Sequence, residues 1–283
     1  MQGATMTTFV NDKVIVVTGA AGGFGRMISV KAADLGAKLV CGDIDADGLE
    51  TTLAKIRAQG REAEGLTTDV TSLEQMKALA SLAVERFGRI DVMINNAGVM
   101  PLAFWADHAA ASALWGRCVD INIKGVMNGV IAVHDQMIAQ GRGHVINISS
   151  IYGNFPVAGA GIYGATKAAV NFLSESLRVE SQGRIKVTTI RPTGVPATGL
   201  GGGIVNPAAI VGILGQNAGP YLATMAAMAA GEAPPDQSDS ASIALAALDP
   251  GFIADAVIHA IAKPWGVSIG DITIRASGDG YIL

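Results

Sequence analysis

Short runs rich in β-branched and aliphatic residues alternate with longer stretches of helical spacing along almost the whole chain, and no other feature restricts its fold as tightly. The strand-like runs fall near 13–18, 38–43, 63–68, 90–95, 143–149, 185–190 and 267–274. The helical stretches fall near 23–36, 46–59, 72–87, 106–140, 161–182 and 249–262. The third of these shows one apolar face, with Leu73, Met76, Leu79, Ala80 and Ala83 at helical spacing. Strand, helix and strand in succession make a parallel pair with a right-handed crossover, so the pattern predicts a doubly wound α/β fold. Seven parallel strands are expected in the order 3-2-1-4-5-6-7, with helices on both faces.

The 283 residues read as a single domain, 1–283, and half of them are apolar, enough for a large core. Residues 1–12 read as a frayed leader without the charged start and apolar stretch of a signal peptide. The net charge is −4, with acids and bases interspersed, and no basic block suits nucleic acid or anionic lipid. No apolar run approaches the roughly 18–20 residues that span a bilayer. Cys41 and Cys118 are too few for a disulfide framework, which fits a reducing, cytoplasmic compartment. His108, His134, His144 and His259 lack ligand spacing, so no metal site is expected, and His144 reads as a structural hydrogen-bonder. One segment breaks the strand–helix rhythm. Residues 198–248 are rich in Gly, Ala, Met and Pro, and their glycine runs suggest a mobile apolar lid.

Gly19, Gly22, Gly23 and Gly25 sit between a strand and a helix, with Phe24 among them. A glycine loop there brings backbone N–H groups and the positive end of the helix dipole against phosphates. The spacing is Gly-x-x-x-Gly-x-Gly rather than Gly-x-Gly-x-x-Gly. Asp43 closes the second strand, about 20 residues on, where an acid accepts hydrogen bonds from ribose hydroxyls and repels a 2′-phosphate. Ile44 follows it, and no Arg or Lys interrupts the loop, so NAD is expected over NADP.

Tyr163 and Lys167 stand four residues apart, on one helix face, and Ser150 lies thirteen positions before the tyrosine. A cation lowers a neighbouring phenol's pKa, and a serine hydroxyl can hold a substrate oxygen, so the three could move a proton to or from that oxygen. A Tyr-x-x-x-Lys pair alone is usually a solvated helix face. Here it comes with Thr18-Gly19-Ala20-Ala21-Gly22-Gly23-Phe24-Gly25, Asn95-Asn96-Ala97-Gly98, and Asn122 in Asp120-Ile121-Asn122-Ile123-Lys124-Gly125. In this order and spacing the motifs resemble the short-chain dehydrogenase/reductase family, from about Lys13 to Arg275.

The resemblance implies a Rossmann-type oxidoreductase with Tyr163 as general acid/base, Ser150 on the substrate oxygen, and Lys167 on the nicotinamide ribose as well as beside the tyrosine. It implies that Asn122 binds a water linking Lys167 to solvent; the plainer reading is a buried amide that pins a helix bend, and both can be true. Asp69 would face the adenine amino group and the Val70 backbone its ring. Asn95, Ala97 and Gly98 would lie against the adenosine ribose, Asn95 also being able to brace the central strands. After Pro192 the chain departs from the family's pattern: Thr193 and Ala197 stand where glycine and threonine are usual, leaving Val195 to bind the nicotinamide amide and Thr198 as a further contact.

The expected reaction is an NAD-dependent interconversion of a secondary alcohol and a ketone. Met100, Pro101, Leu102, Phe104, Ile151, Tyr152, Phe155, Val157, Leu200 and Met225 would line an apolar substrate pocket. The alternatives are a nucleotide-sugar epimerase or dehydratase, for which the chain looks too short, and a non-catalytic NAD-binding redox sensor, which would not need all four of Asn122, Ser150, Tyr163 and Lys167. Helices near 106–140 and 161–182 carry surplus apolar residues such as Val126, Met127, Val130 and Phe172, and with the resemblance they suggest a homotetramer.

Overall fold

The computed structural model describes residues 9–196 and 198–282, which leaves most of the expected leader and Ala197 outside the described residues. Seven strands form one parallel sheet: β1 (Val14–Thr18), β2 (Lys38–Asp43), β3 (Ala63–Thr67), β4 (Val92–Asn95), β5 (Gly143–Ile148), β6 (Ile185–Pro192) and β7 (Asp271–Ile274). Their order is β3-β2-β1-β4-β5-β6-β7, as the alternation predicts, with Val16 opposite Val40 on one side and Met93 on the other. Every side chain of β1 is buried, as a strand covered on both faces requires.

Helices α1 (Gly23–Asp34), α2 (Ala46–Ala58) and α9 (Pro250–Ile261) cover one face, where Ile28, Leu53 and Val257 close on Ile15 and Val17. Helices α3 (Leu73–Phe87), α5 (Gly125–Ala139) and α6 (Gly161–Glu180) cover the other, with Leu79, Met137 and Leu177 against Val14, Val16 and Met93. Full burial of a side chain such as Leu79 contributes about 2 kcal/mol. Ser72 caps α3 by accepting the Gln75 N–H, and Gly88 ends it in the left-handed conformation. A third apolar cluster, built on Leu102, Ile151, Ala209 and Ile213, lies apart from these two and surrounds Tyr163.

Four boundaries differ from expectation. Residues 9–12 are anchored rather than frayed: Val10 is buried, and Asp12 pairs with Lys38 and Arg89. Strand β4 starts at Val92, and the backbone of Ile90 ahead of it is taken by a side chain. Gln140 bonds both the N–H and the carbonyl of Ile90, and Asp91 accepts the Val14 N–H. Strand β7 starts at Asp271 because Thr188 Oγ1 takes the Ile269 carbonyl. The long helix expected over 106–140 divides into α4 (His108–Val119) and α5, joined by a π-helical turn, Asp120–Lys124. Between β6 and α9 lie short 3₁₀ turns, a one-turn helix α7 (Val211–Leu214) that buries Ile213 and Leu214, and α8 (Ala218–Ala230), which buries no side chain.

Candidate active site

A cavity of about 1460 Å³ opens at the C-terminal ends of the strands, between the glycine loop and α8. Ordinary small-molecule pockets run to about 1,000 Å³, so this one has room for a dinucleotide and a further ligand. Gly19, Gly22, Gly23 and Phe24 form one end of its wall, and Asp43, Ile44, Asp69 and Val70 stand on the same side.

The glycine loop is shaped by contacts that no side chain would permit. Gly19 has φ of 67°, and a Cβ there would lie 2.8 Å from the Cα of Ala97. A Cβ on Gly25 would lie 2.0 Å from the Gly19 carbonyl oxygen, so Gly25 serves packing and does not itself line the cavity. Gly22 is the N-cap of α1 and offers no side chain to the helix's first N–H groups, and a Cβ there would meet nothing within 4 Å. A smooth, uncapped helix start on a cavity wall fits a dinucleotide pyrophosphate. Asp43 accepts the Ala21 N–H at 2.8 Å and the Asp45 N–H at 3.0 Å, which ties the end of β2 to the loop. Asp45, rather than Asp43, caps α2. Arg26, one residue beyond the loop, also holds it: its guanidinium donates to the carbonyls of Ala21 and Gly48 and to Thr52. That role had no sequence signal, because only the fold brings Gly48 and Thr52 beneath the loop.

Asp69 spends one carboxylate oxygen on the N–H and hydroxyl of Thr71. Ala97 and Gly98 line the cavity, but Asn95 does not. It is buried and donates to Asn147 Oδ1 at 2.8 Å, bracing β4 against β5. Its neighbour Asn96 lines the wall instead and donates to the carbonyls of Thr18 and Gly19. In the alternating pleat only one of two adjacent asparagines can face the sheet neighbour, and the dipeptide does not reveal which. Pro192, Val195 and Thr198 line the cavity, with Thr198 over Gly23.

Tyr163, Thr166, Lys167, Val170 and Ser174 form the buried face of α6. The Tyr163 phenol and Ser150 both line the cavity, Ser150 draws the phenol's pKa down, and the Ser150 hydroxyl accepts the Tyr152 N–H. Ser149 is turned instead to Asn171 and the Lys167 carbonyl. Lys167 Nζ donates to the Ile148 carbonyl at 2.9 Å and lies 5.8 Å from the Tyr163 ring centroid. Burial pulls this ammonium down to about 8. Burial also pushes the Tyr163 phenol up, and the influence of Ser150 offsets this only in part. Lys167 is expected to lower the Tyr163 pKa; in the structure burial is the largest influence on the phenol, and Ser150 is the neighbour that lowers it.

Asn122 sits in the π-helical turn with its side chain engaged. Oδ1 accepts the Val99 N–H, while Nδ2 donates to the Val99 carbonyl, Thr166 and Cys118. It pins the bend to α6 and to the chain after β4, and Oδ1, with one of its two lone pairs used, can still accept from a water. Cys118, 3.9 Å from Thr166, is a buried neighbour of the reaction centre, with its thiol pushed up by burial.

Of the expected substrate wall, Met100, Tyr152, Leu200 and Met225 face the cavity. Leu102 and Ile151 are core, and Phe155 is exposed. Two residues missing from that expectation, Tyr221 of α8 and Tyr281 near the C-terminus, also line it. His144 is buried and bonded to Thr188 at 2.8 Å. Among the described residues no group of three His, Cys, Asp or Glu gathers to hold a metal ion, and no helix is long and apolar enough to cross a membrane.

Comparison with known proteins adds to this geometry. The sequence profile of a family described as short chain dehydrogenase matches residues 13–209. An uncharacterized oxidoreductase of Listeria monocytogenes is 42% identical over 193 residues, covering 66% of this chain and 75% of its own. A short chain dehydrogenase/reductase of Burkholderia phymatum, solved with NAD, superposes with a TM-score of 0.73 at 29% identity, covering 93% of this chain and 89% of its own. A serine dehydrogenase solved with NADP+ superposes with a TM-score of 0.74 at 27% identity, covering 92% and 94%.

Proposed function

The chain belongs to the short-chain dehydrogenase family of oxidoreductases, and we propose that it interconverts a neutral, apolar secondary alcohol and its ketone with NAD(H). The observation that carries this reading is the gathering of Ser150, Tyr163 and Lys167 on one cavity wall, with Ser150 drawing the phenol's pKa down. Ser150 and Tyr163 together hold the substrate oxygen. In reduction Tyr163 gives its proton to that oxygen, and in oxidation it takes the proton back. Lys167, fixed by the Ile148 carbonyl, places a positive charge where the tyrosinate forms. Asn122 and Thr166 hold the helix bend against α6 and so keep Lys167 and Tyr163 aligned. When bound, the nicotinamide supplies or accepts the hydride.

The glycine loop would hold the pyrophosphate, Val195 the nicotinamide amide, and Asp69 and Val70 the adenine. Asp43 would accept the ribose hydroxyls. Its two oxygens already take backbone N–H groups, which keeps the carboxylate in place to repel a 2′-phosphate. The guanidinium of Arg26 is occupied by two carbonyls and a hydroxyl, which also favours NAD over NADP. We place the protein in the cytoplasm, where two buried free thiols remain reduced.

Helices α4, α5 and α6 expose Leu114, Met127, Ile131 and Phe172, the last 77% exposed, which supports a homotetramer closed through these helices. Val126 is buried and Val130 packs on the core, so neither joins that surface. Residues 198–248 would close over substrate through α8. The test of the reading is NADH absorbance against a panel of ketones and alcohols, repeated with NADPH. Ketone-dependent loss of NADH absorbance, faster than with NADPH, is expected; no reaction across the panel rejects the reading.

A further inference from the structure

All four tyrosines of the chain line the same cavity. Tyr163 and Tyr152 belong to the reaction centre, their rings edge-to-face at 5.5 Å. Tyr221 and Tyr281 come from segments sixty residues apart and take no part in the proton transfer. Their hydroxyls hydrogen-bond at 3.0 Å, and their ring centroids lie 5.5 Å apart.

The pair is held by built contacts. The Ile282 N–H donates to the Ile213 carbonyl, and Asn217 donates to the Gly280 carbonyl, so the tail is clamped on both sides of Tyr281. Asp279 accepts the Tyr281 N–H, the Thr193 hydroxyl and the Arg275 guanidinium. The Tyr281 hydroxyl rests on Gly194, where a Cβ would lie 2.3 Å from it. This places it beside the segment that leaves β6, next to Val195.

Two phenols carry two protons, and their mutual bond uses one. Among the described residues the second proton has no partner. Burial pushes the Tyr281 phenol up, so it remains a donor throughout the neutral range. The wall contributed by the same region is apolar, including Ile210, Met225 and Met228. The cations on the described wall are Arg117 of α4 and Lys167 of the reaction centre, and neither belongs to α8 or the tail. A donor set in an apolar wall is costly to cover with hydrocarbon and favourable to cover with an oxygen that accepts from it.

We propose that the Tyr221–Tyr281 pair receives a second, uncharged oxygen of the substrate, so that the preferred substrates are apolar ketones or alcohols bearing a second carbonyl, hydroxyl or ether oxygen. The substrate class rests on the oxidoreductase reading above; the oxygen subsite itself can be measured by binding alone. The probes are a ten-carbon methyl ketone and ten-carbon diketones with the second carbonyl moved stepwise along the chain. Dissociation constants are measured calorimetrically, with oxidised NAD present so that no ketone turns over, for the wild type and for the double variant Tyr221→Phe/Tyr281→Phe.

The wild type should bind at least one diketone roughly three- to tenfold more tightly than the monoketone, and the double variant, which has lost both donors, should bring that ratio near one. A residue that only packs would weaken both ligands together and leave the ratio intact. That result overturns the proposal, as does a wild type that prefers or binds no diketone at any spacing. If the ratio behaves as expected while no ketone is reduced, the subsite stands and the oxidoreductase reading is what has failed.

Discussion

Adding one methyl group at Gly25 should damage the cofactor cradle more than the same change at any other glycine of the loop. The new Cβ would sit 2.0 Å from the Gly19 carbonyl oxygen and 2.7 Å from Asn96 Nδ2. Gly19 cannot retreat, because it already lies against the Ala97 backbone and holds a φ of 67°. Either α1 or the loop must shift, and overpacking of this kind costs about 1–3 kcal/mol. If the displaced loop must be restored on binding, that cost converts to roughly a five- to hundredfold weaker NADH complex.

Gly22→Ala is the control, since its Cβ would meet nothing within 4 Å and its extended backbone suits any residue. It should leave stability within about 0.5 kcal/mol. It should still weaken NADH, because a methyl group would stand on the cavity wall where the phosphates approach. Urea denaturation and NADH fluorescence titration give the two readouts. Wild-type stability and wild-type NADH affinity in Gly25→Ala would refute the reasoning.

Burial holds Lys167 at about 8 against an ordinary 10.5, so the unfolded chain binds the extra proton between those values. The penalty is in full force below pH 8 and is relieved as pH rises through that window. Relative to Lys167→Met, the wild type should therefore gain up to about 3 kcal/mol of stability across it, and parallel pH profiles in chemical denaturation contradict this. Because the Tyr163 phenol is pushed up, ketone reduction should stay flat through neutral pH while alcohol oxidation rises towards alkaline pH; oxidation that falls as pH rises argues against the proton role. Phe172→Lys should shift the protein to smaller species in light scattering, and an unchanged mass removes that face from the assembly. Hydrogen exchange in 198–248 should slow when NADH and a substrate analogue are both present; exchange that is already slow and unaltered shows ordinary packed structure.

Strand order was legible because β1, β4 and β5 are apolar runs separated by helical spacing, and handedness leaves few topologies for such a pattern. The spacing that selects Ser150 over Ser149 has a geometric counterpart, since the two serines leave β5 in opposite directions. What was not legible depends on contacts distant in sequence. Gln140 takes the backbone ahead of β4 from fifty residues away, and the bend at Asn122 is set by Val99 and Thr166. Tyr281 reaches the cavity only because the tail docks on Ile213 and Asn217. The direction of the Tyr163 shift depended on how deeply α6 is buried, which the four-residue spacing to Lys167 does not encode.

The central claim is that Tyr163 exchanges a proton with the substrate oxygen, and single-turnover oxidation of bound NADH by a ketone tests it most directly. Tyr163→Phe keeps the ring and its packing on Tyr152 while removing the hydroxyl. The rate should fall by roughly 100-fold or more while the NADH dissociation constant stays close to that of the wild type. A variant that oxidises NADH at close to the wild-type rate would contradict the account.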